Sequence, residues 1–130
     1  MATTDDNKAV VERFFGLLSK GAYDDAFALT SADSVIHQPH KDPALVSAWS
    51  GGYKGLMAAK FTDGCRFTLG LTTAEDDRVA VLAESYGDII GGGVYANQYH
   101  WLFRVVDGVI VEIWEYANTL YAQQTFRPGQ

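Results

Sequence analysis

Apolar residues recur at helical spacing near the start of the chain. Val10, Val11, Phe14, Phe15, Leu17 and Leu18 fall on one side of a helix, and Asp5 and Asp6 precede them where the helix dipole favours acids. Lys20-Gly21 supplies a basic last turn and a stop. Tyr23 to Thr30 reads as a second, short helix with Tyr23, Ala26, Phe27 and Leu29 on its apolar side. Ser34 to Gln38 reads as a strand that Pro39 ends. His40 to Gly52 reads as a loop carrying Trp49. Tyr53 to Phe61 reads as a third helix with Leu56, Met57, Ala59 and Phe61 facing inward.

From Arg66 onward the period becomes that of strands. Arg66 to Thr73, Val79 to Asp88, Tyr95 to Val106 and Val109 to Tyr116 each carry β-branched and aromatic residues. Glu75-Asp76-Asp77, Gly91-Gly92-Gly93 and Asp107-Gly108 separate them, the last being a tight-hairpin signal. Asn118 to Phe126 reads as a closing helical turn that Asn118 caps. Helices followed by a meander of long strands is an α+β pattern. The expected architecture is a curved, cone-shaped antiparallel sheet packed with N-terminal helices, as a single domain over residues 1–130. The interior of such a cone is a natural small-molecule pocket.

Composition narrows the function. The chain has 130 residues, 48% hydrophobic and 13% aromatic, enough for a packed core and against disorder. Sixteen acidic against ten basic residues give a net charge of −6, which argues against nucleic acid or an anionic membrane as partner. The single cysteine, Cys65, excludes an intrachain disulfide and a cysteine metal cluster, and reads as a buried thiol. No apolar run is long enough to span a membrane, and the acidic start is unlike a secretory signal. The cytoplasm is the expected location.

The order of elements, with the segment His100-Trp101-Leu102-Phe103-Arg104-Val105-Val106-Asp107-Gly108-Val109-Ile110-Val111-Glu112-Ile113-Trp114-Glu115-Tyr116, resembles the nuclear transport factor 2-like superfamily and, within it, the SnoaL-like group that includes polyketide cyclases. Ketosteroid isomerases, scytalone dehydratase and limonene epoxide hydrolase share that fold, so the resemblance implies a fold more than a reaction.

Three residues are candidates for catalysis: Glu115, His100 and His37. Alternation puts Ile113, Glu115 and Ala117 on one face and Glu112, Trp114 and Tyr116 on the other, so Glu115 lies on an apolar surface that would raise its pKa. The resemblance implies an acid/base role for Glu115, at a place where the family usually shows Asp. His37 matches a polar pocket position of the epoxide hydrolases. His100 falls near the oxyanion-stabilising acid of ketosteroid isomerases. Gln38 stands where those isomerases have their basic aspartate before a proline, and it cannot be a base. The resemblance to epoxide hydrolases sets Glu84 near one acid of their aspartate–arginine–aspartate trio, but the arginine's place holds Leu82 or Ala83. The plainer alternatives are an exposed strand Glu115, a His37 bonded to a loop, and a His100 within the sheet or a dimer contact.

Trp49, Tyr53, Tyr86, Trp101 and Trp114 supply aromatic surface for a ring-containing ligand. Gln38, Trp49, Tyr53, Glu84, Tyr86, Leu102, Ile113 and Ala117 are the expected pocket walls. No histidine pair has the helical spacing of a metal motif, and neither a metal nor another cofactor is expected. Two functions follow. One is a cofactor-free lyase, isomerase or cyclase acting on a small, apolar, oxygenated substrate, with Glu115 moving a proton and His100 or His37 stabilising oxygen charge. The other is a non-catalytic module that binds a ligand or protein. Convergence of the three groups in one cavity separates them. Apolar residues on both sheet faces also predict a homodimer through the outer face.

Overall fold

A computed structural model describes residues 2–126. The elements, in chain order, are α1 (Thr4–Ser19), α2 (Tyr23–Phe27), β1 (Thr30–His37), β2 (Ala44–Leu45), α3 (Val46–Lys60), β3 (Arg66–Glu75), β4 (Arg78–Asp88), β5 (Val94–Tyr95), β6 (Gln98–Val106), β7 (Val109–Ala117) and α4 (Thr119–Phe126).

A reciprocal capping box starts α1. Thr3 Oγ1 accepts from the Asp6 amide at 3.1 Å, and Asp6 Oδ2 accepts from the Thr3 amide at 2.9 Å. These bonds hold the Asp6 carboxyl below its usual range. Val11, Phe14, Phe15 and Leu18 form the buried stripe, and Gly21 leaves the helix at φ +75°. The stripe packs on the sheet as a lattice of aromatic rings. Phe15 lies 5.4 Å from Trp101 and 5.2 Å from Phe67, and Phe14 lies 5.8 Å from Phe103, in edge or tilted contacts.

The sheet runs β2-β1-β7-β6-β4-β3, with β5 paired to the far end of β4. It is mixed. The meander is antiparallel as expected, but β1 pairs parallel to β7, because the α2–β1 connection returns the chain alongside the last strand. Asp107 and Gly108 both take positive φ, 51° and 78°, which suits a two-residue hairpin between β6 and β7. Beyond that turn Val111 is an extra residue: Val105 pairs with Ile110 and Arg104 with Glu112. This bulge lets Ile110 and Ile113 both face inward despite their odd spacing.

Two boundaries differ from the sequence expectation. β1 begins at Thr30 rather than Ser34, so Thr30, read as the end of the second helix, is the first residue of the strand, and α2 stops at Phe27. The segment 46–52, read as loop, is the first half of α3. Gly51, Gly52 and Gly55 weaken helical propensity, yet Val46, Trp49, Tyr53 and Met57 recur at helical spacing and pack inward. Ala59 faces solvent and Leu56 is 40% exposed, so neither is a core residue. The strand expected from Tyr95 is interrupted at Ala96-Asn97.

A second, smaller cluster closes the other end of the cone. Met57, Phe61, Cys65 and Tyr95 are buried there, with Tyr121, Ala122 and Phe126 of α4 packed against them. The expected Asn118 cap is present, its Oδ1 accepting from the Tyr121 amide at 3.0 Å. Among the described residues no helix is long and apolar enough to cross a membrane.

Candidate functional site

Between α3, α4 and the ends of β6 and β7 lies a cavity of about 910 Å³. Its wall is chiefly apolar and aromatic, with Trp49 and Tyr53 from α3, Phe67 from β3, Tyr95 from β5, Tyr99 from β6 and Phe126 from α4. Trp49 and Tyr53 are stacked at 5.3 Å, one helical turn apart, and present their rings together. Among the described residues the wall holds one carboxylate, Glu115.

Glu115 reaches the cavity because it shares the inner face of β7 with Ile113 and Ala117. Burial pushes its carboxyl above the usual 4.5, and a hydrogen bond from Gln38 and the charge of Lys41 act in the opposite direction. Gln38 Nε2 donates to Glu115 Oε1 at 2.6 Å. Gln38 is the residue after β1, and the parallel β1–β7 pairing brings it there. The surrounding phenols stay protonated. Burial is the main cause of the raised values of Tyr53, Tyr95 and Tyr99, and the Glu115 charge adds to all three.

Asn97 braces the inner end. It is 2% exposed, and its Nδ2 donates to the Tyr95 hydroxyl at 2.6 Å and to the Asn118 carbonyl at 3.2 Å. Ser85 and the Tyr99 hydroxyl share a bond at 3.0 Å. The Tyr53 hydroxyl is enclosed with no partner and is not open to the cavity. Cys65 also lines the wall, but burial pushes its thiol up to about 11, so it is a neutral wall atom rather than a nucleophile.

Of the expected site residues, Glu115, Gln38, Trp49, Tyr53 and Ala117 converge on this cavity. Ile113 sits on the same face but is fully enclosed in the core. The other five lie on the outer face of the sheet, away from Glu115. His37 stacks on Trp114 at 4.9 Å, and its Nε2 donates to Glu112 Oε2 at 2.6 Å. Arg104 donates to the other Glu112 oxygen at 3.2 Å and to Asp77 Oδ2 at 3.1 and 3.0 Å. His100 is exposed and lies in register between Leu82 and Tyr116, and Leu102 lies between Ala80 and Trp114. Glu84 is exposed, and Tyr86 is exposed beneath Arg66, whose guanidinium is 5.4 Å from its ring.

The expected meeting of Glu115 with His37 and His100 therefore does not occur. The reason is parity: β6 buries Trp101 and Phe103, which sends His100 and Leu102 outward, and β4 buries Ala83 and Ser85, which sends Glu84 and Tyr86 outward. The same parity places Tyr99 on the inner face, so extending the alternation from Trp101 would have found it. His40, at the start of the expected loop, is exposed and stands at the cavity rim with Lys41. Neither Lys41 nor Asn97 carries a sequence signal of its role.

The comparisons agree with this architecture. Among structures of similar fold are PrhC from Penicillium brasilianum (19% identity, 95% of this chain and 87% of that one, TM-score 0.83), IdmH, a candidate polyketide cyclase from Streptomyces antibioticus (22%, 92% and 98%, 0.78), and an LEH-like epoxide hydrolase from M. tuberculosis (17%, 90% and 86%, 0.76). At such identities they establish a shared fold. No curated protein matches the chain significantly. The profile of the SnoaL-like domain matches residues 11–113, ending two residues before Glu115. That match spans most of the helices and sheet just described, and the chain belongs to the SnoaL-like domain family.

Proposed function

We propose that the protein acts on a small, apolar, oxygenated ligand by side-chain acid–base chemistry, as a cofactor-independent lyase, isomerase or cyclase. Glu115 moves the proton. The observation that carries this reading is a carboxyl withdrawn from water among aromatic walls, held by one amide and raised above its usual value by burial. The ionised form takes a proton from carbon beside a carbonyl, and the protonated form returns it to carbon or to a leaving hydroxyl. Gln38 replaces the histidines as the group nearest the charge. Its amide gives one N–H to Glu115 and has a second to offer a ligand oxygen. The names of IdmH and of the epoxide hydrolase are consistent with ring-containing or oxygenated substrates.

The test is titration of the Glu115 carboxyl by NMR, with Glu115→Gln as the control, followed by a screen of ring ketones, alcohols and epoxides. A pKa well above the ordinary value, with turnover lost in Glu115→Gln, supports the reading. A pKa near the ordinary value removes it. The divergence of His37 and His100 favours a second reading, a binding module without turnover, for which ligands bind equally to both forms.

We also propose a homodimer through the outer sheet face. Leu82 and Tyr116 are 46% and 55% exposed there, beside Leu102 and Trp114. A monomer in sedimentation at micromolar concentration would contradict it.

A further inference from the structure

The rim of the cavity is charged opposite to the protein as a whole. The chain carries a net −6, yet the charged residues of the cavity wall are Lys41, Lys60 and the deeper Glu115. Among the described residues neither lysine is engaged in an ion pair, whereas Lys54, Arg78 and Arg104 are paired with acids. Asp42 follows Lys41 in sequence but is not part of the wall.

The backbone is arranged to put Lys41 there. Its amide donates to the Gln38 carbonyl at 3.3 Å, closing a four-residue turn with Pro39 second and His40 third. His40 takes φ +61°, the left-handed value that a type II turn needs at its third position and that glycine or asparagine usually supplies. A histidine held in that region is a local cost retained at the cavity mouth. The turn folds the chain back so that Lys41 stands beside Gln38, whose side chain holds Glu115. The Lys41 charge acts on that carboxyl. Lys60 arrives independently, from the last turn of α3.

We propose that the ligand is a ring-containing anion, its apolar rings against Trp49 and Tyr53 and its carboxylate, sulfonate or phosphate at the rim that carries Lys41 and Lys60. This rests on the cavity being the ligand site, and it names the ligand's charge. A neutral compound would leave the two ammonium groups to water. An anion instead meets a cationic rim on an otherwise acidic protein.

The experiment uses two dyes with the same rings, 8-anilinonaphthalene-1-sulfonate and its uncharged counterpart N-phenyl-1-naphthylamine, titrated by fluorescence. The sulfonate is expected to bind roughly fivefold or more tightly at low salt, on the scale of two exposed charge pairs. That advantage should vanish in Lys41→Met/Lys60→Met and in about 0.5 M salt, where screening is short-ranged, with binding of the neutral dye unchanged. NMR shifts at the Trp49 indole and at Glu115 place the dye. Equal binding of the two dyes, an advantage that survives in the double variant, or shifts confined to the outer sheet face would overturn the proposal. If neither dye binds, the cavity itself is not a ligand site, and the function proposed above fails with it.

Discussion

Gln38 and Glu115 meet at 2.6 Å on the inner side of the β1–β7 pair, while the preceding residue, His37, meets Glu112 at 2.6 Å on the outer side. One parallel pairing thus supplies two acid contacts on opposite faces. Only the inner one faces the cavity.

The inner contact opposes the effect of burial on Glu115. The Gln38 amide favours the carboxylate, more strongly than the Lys41 charge does. Replacing Gln38 by Leu should raise the Glu115 pKa further, and Lys41→Met should raise it by less. Carbon-detected NMR titration of the Glu115 carboxyl measures both. If base catalysis is limiting, the acid limb of the rate profile moves to higher pH in the same order. A downward shift in Gln38→Leu would mean that the contact does not stabilise the charged form.

Burial of Glu115 also makes stability depend on pH. A carboxyl whose folded-state pKa is raised holds its proton more tightly when folded. Its contribution is fully present below the unfolded value, near 4.5, and is lost as pH rises through the folded value. Glu115→Gln removes that titration and can still bond to Gln38. The variant should be more stable than the wild type above the folded pKa, by roughly 1 kcal/mol, a common size for single substitutions. The two curves should converge as pH falls toward 4.5. Urea denaturation across the pH range checks it, and a gap that widens toward acid contradicts the assignment.

Much of this arrangement is legible in the chain. The strand alternation that set Ile113, Glu115 and Ala117 on one face is local, and the structure keeps it. The element order and the Asp107-Gly108 hairpin are equally local. What is not legible depends on pairing. The same rule, applied to β4 and β6 from their buried Ala83, Ser85, Trp101 and Phe103, sends Glu84 and His100 outward. Which face was buried became visible only once those strands were packed on α1. The Gln38–Glu115 bond joins residues 77 apart through a parallel pairing that no local pattern announces. The start of α3 was hidden for another reason: its glycines argue against a helix that tertiary burial imposes.

His37 tests the separation of the two faces. It is stacked on Trp114 and bonded to a half-buried Glu112. His37→Ala should cost about 1 kcal/mol, the usual size of an aromatic contact with a partly exposed hydrogen bond, and leave the Glu115 titration unchanged. His100→Ala should change stability by no more than about 0.5 kcal/mol, as surface substitutions do. Chemical denaturation and the same NMR titration measure the two effects. A displaced Glu115 titration in either variant would mean that the histidines communicate with the cavity after all.

The glycines of α3 and β4 should respond to alanine in opposite directions. Gly51 and Gly55 lie inside α3, and a Cβ built on either meets nothing within 4 Å. Alanine there loses no contact and lowers the entropy of the unfolded chain, so each substitution should stabilise by about 0.5 to 1 kcal/mol. Gly87 is different. Its Cβ would lie 2.8 Å from the Gly64 carbonyl oxygen, 2.8 Å from Phe61 Cδ1 and 2.9 Å from Cys65 Sγ, where the cavity's closed end packs on β4. Gly87→Ala must push backbone and buried ring apart, and should cost about 1 to 3 kcal/mol as overpacking does. It should also disturb the wall formed by Phe61 and Cys65. Thermal unfolding of the three variants decides the matter. If Gly51→Ala and Gly55→Ala destabilise instead, helix propensity is not what limits α3.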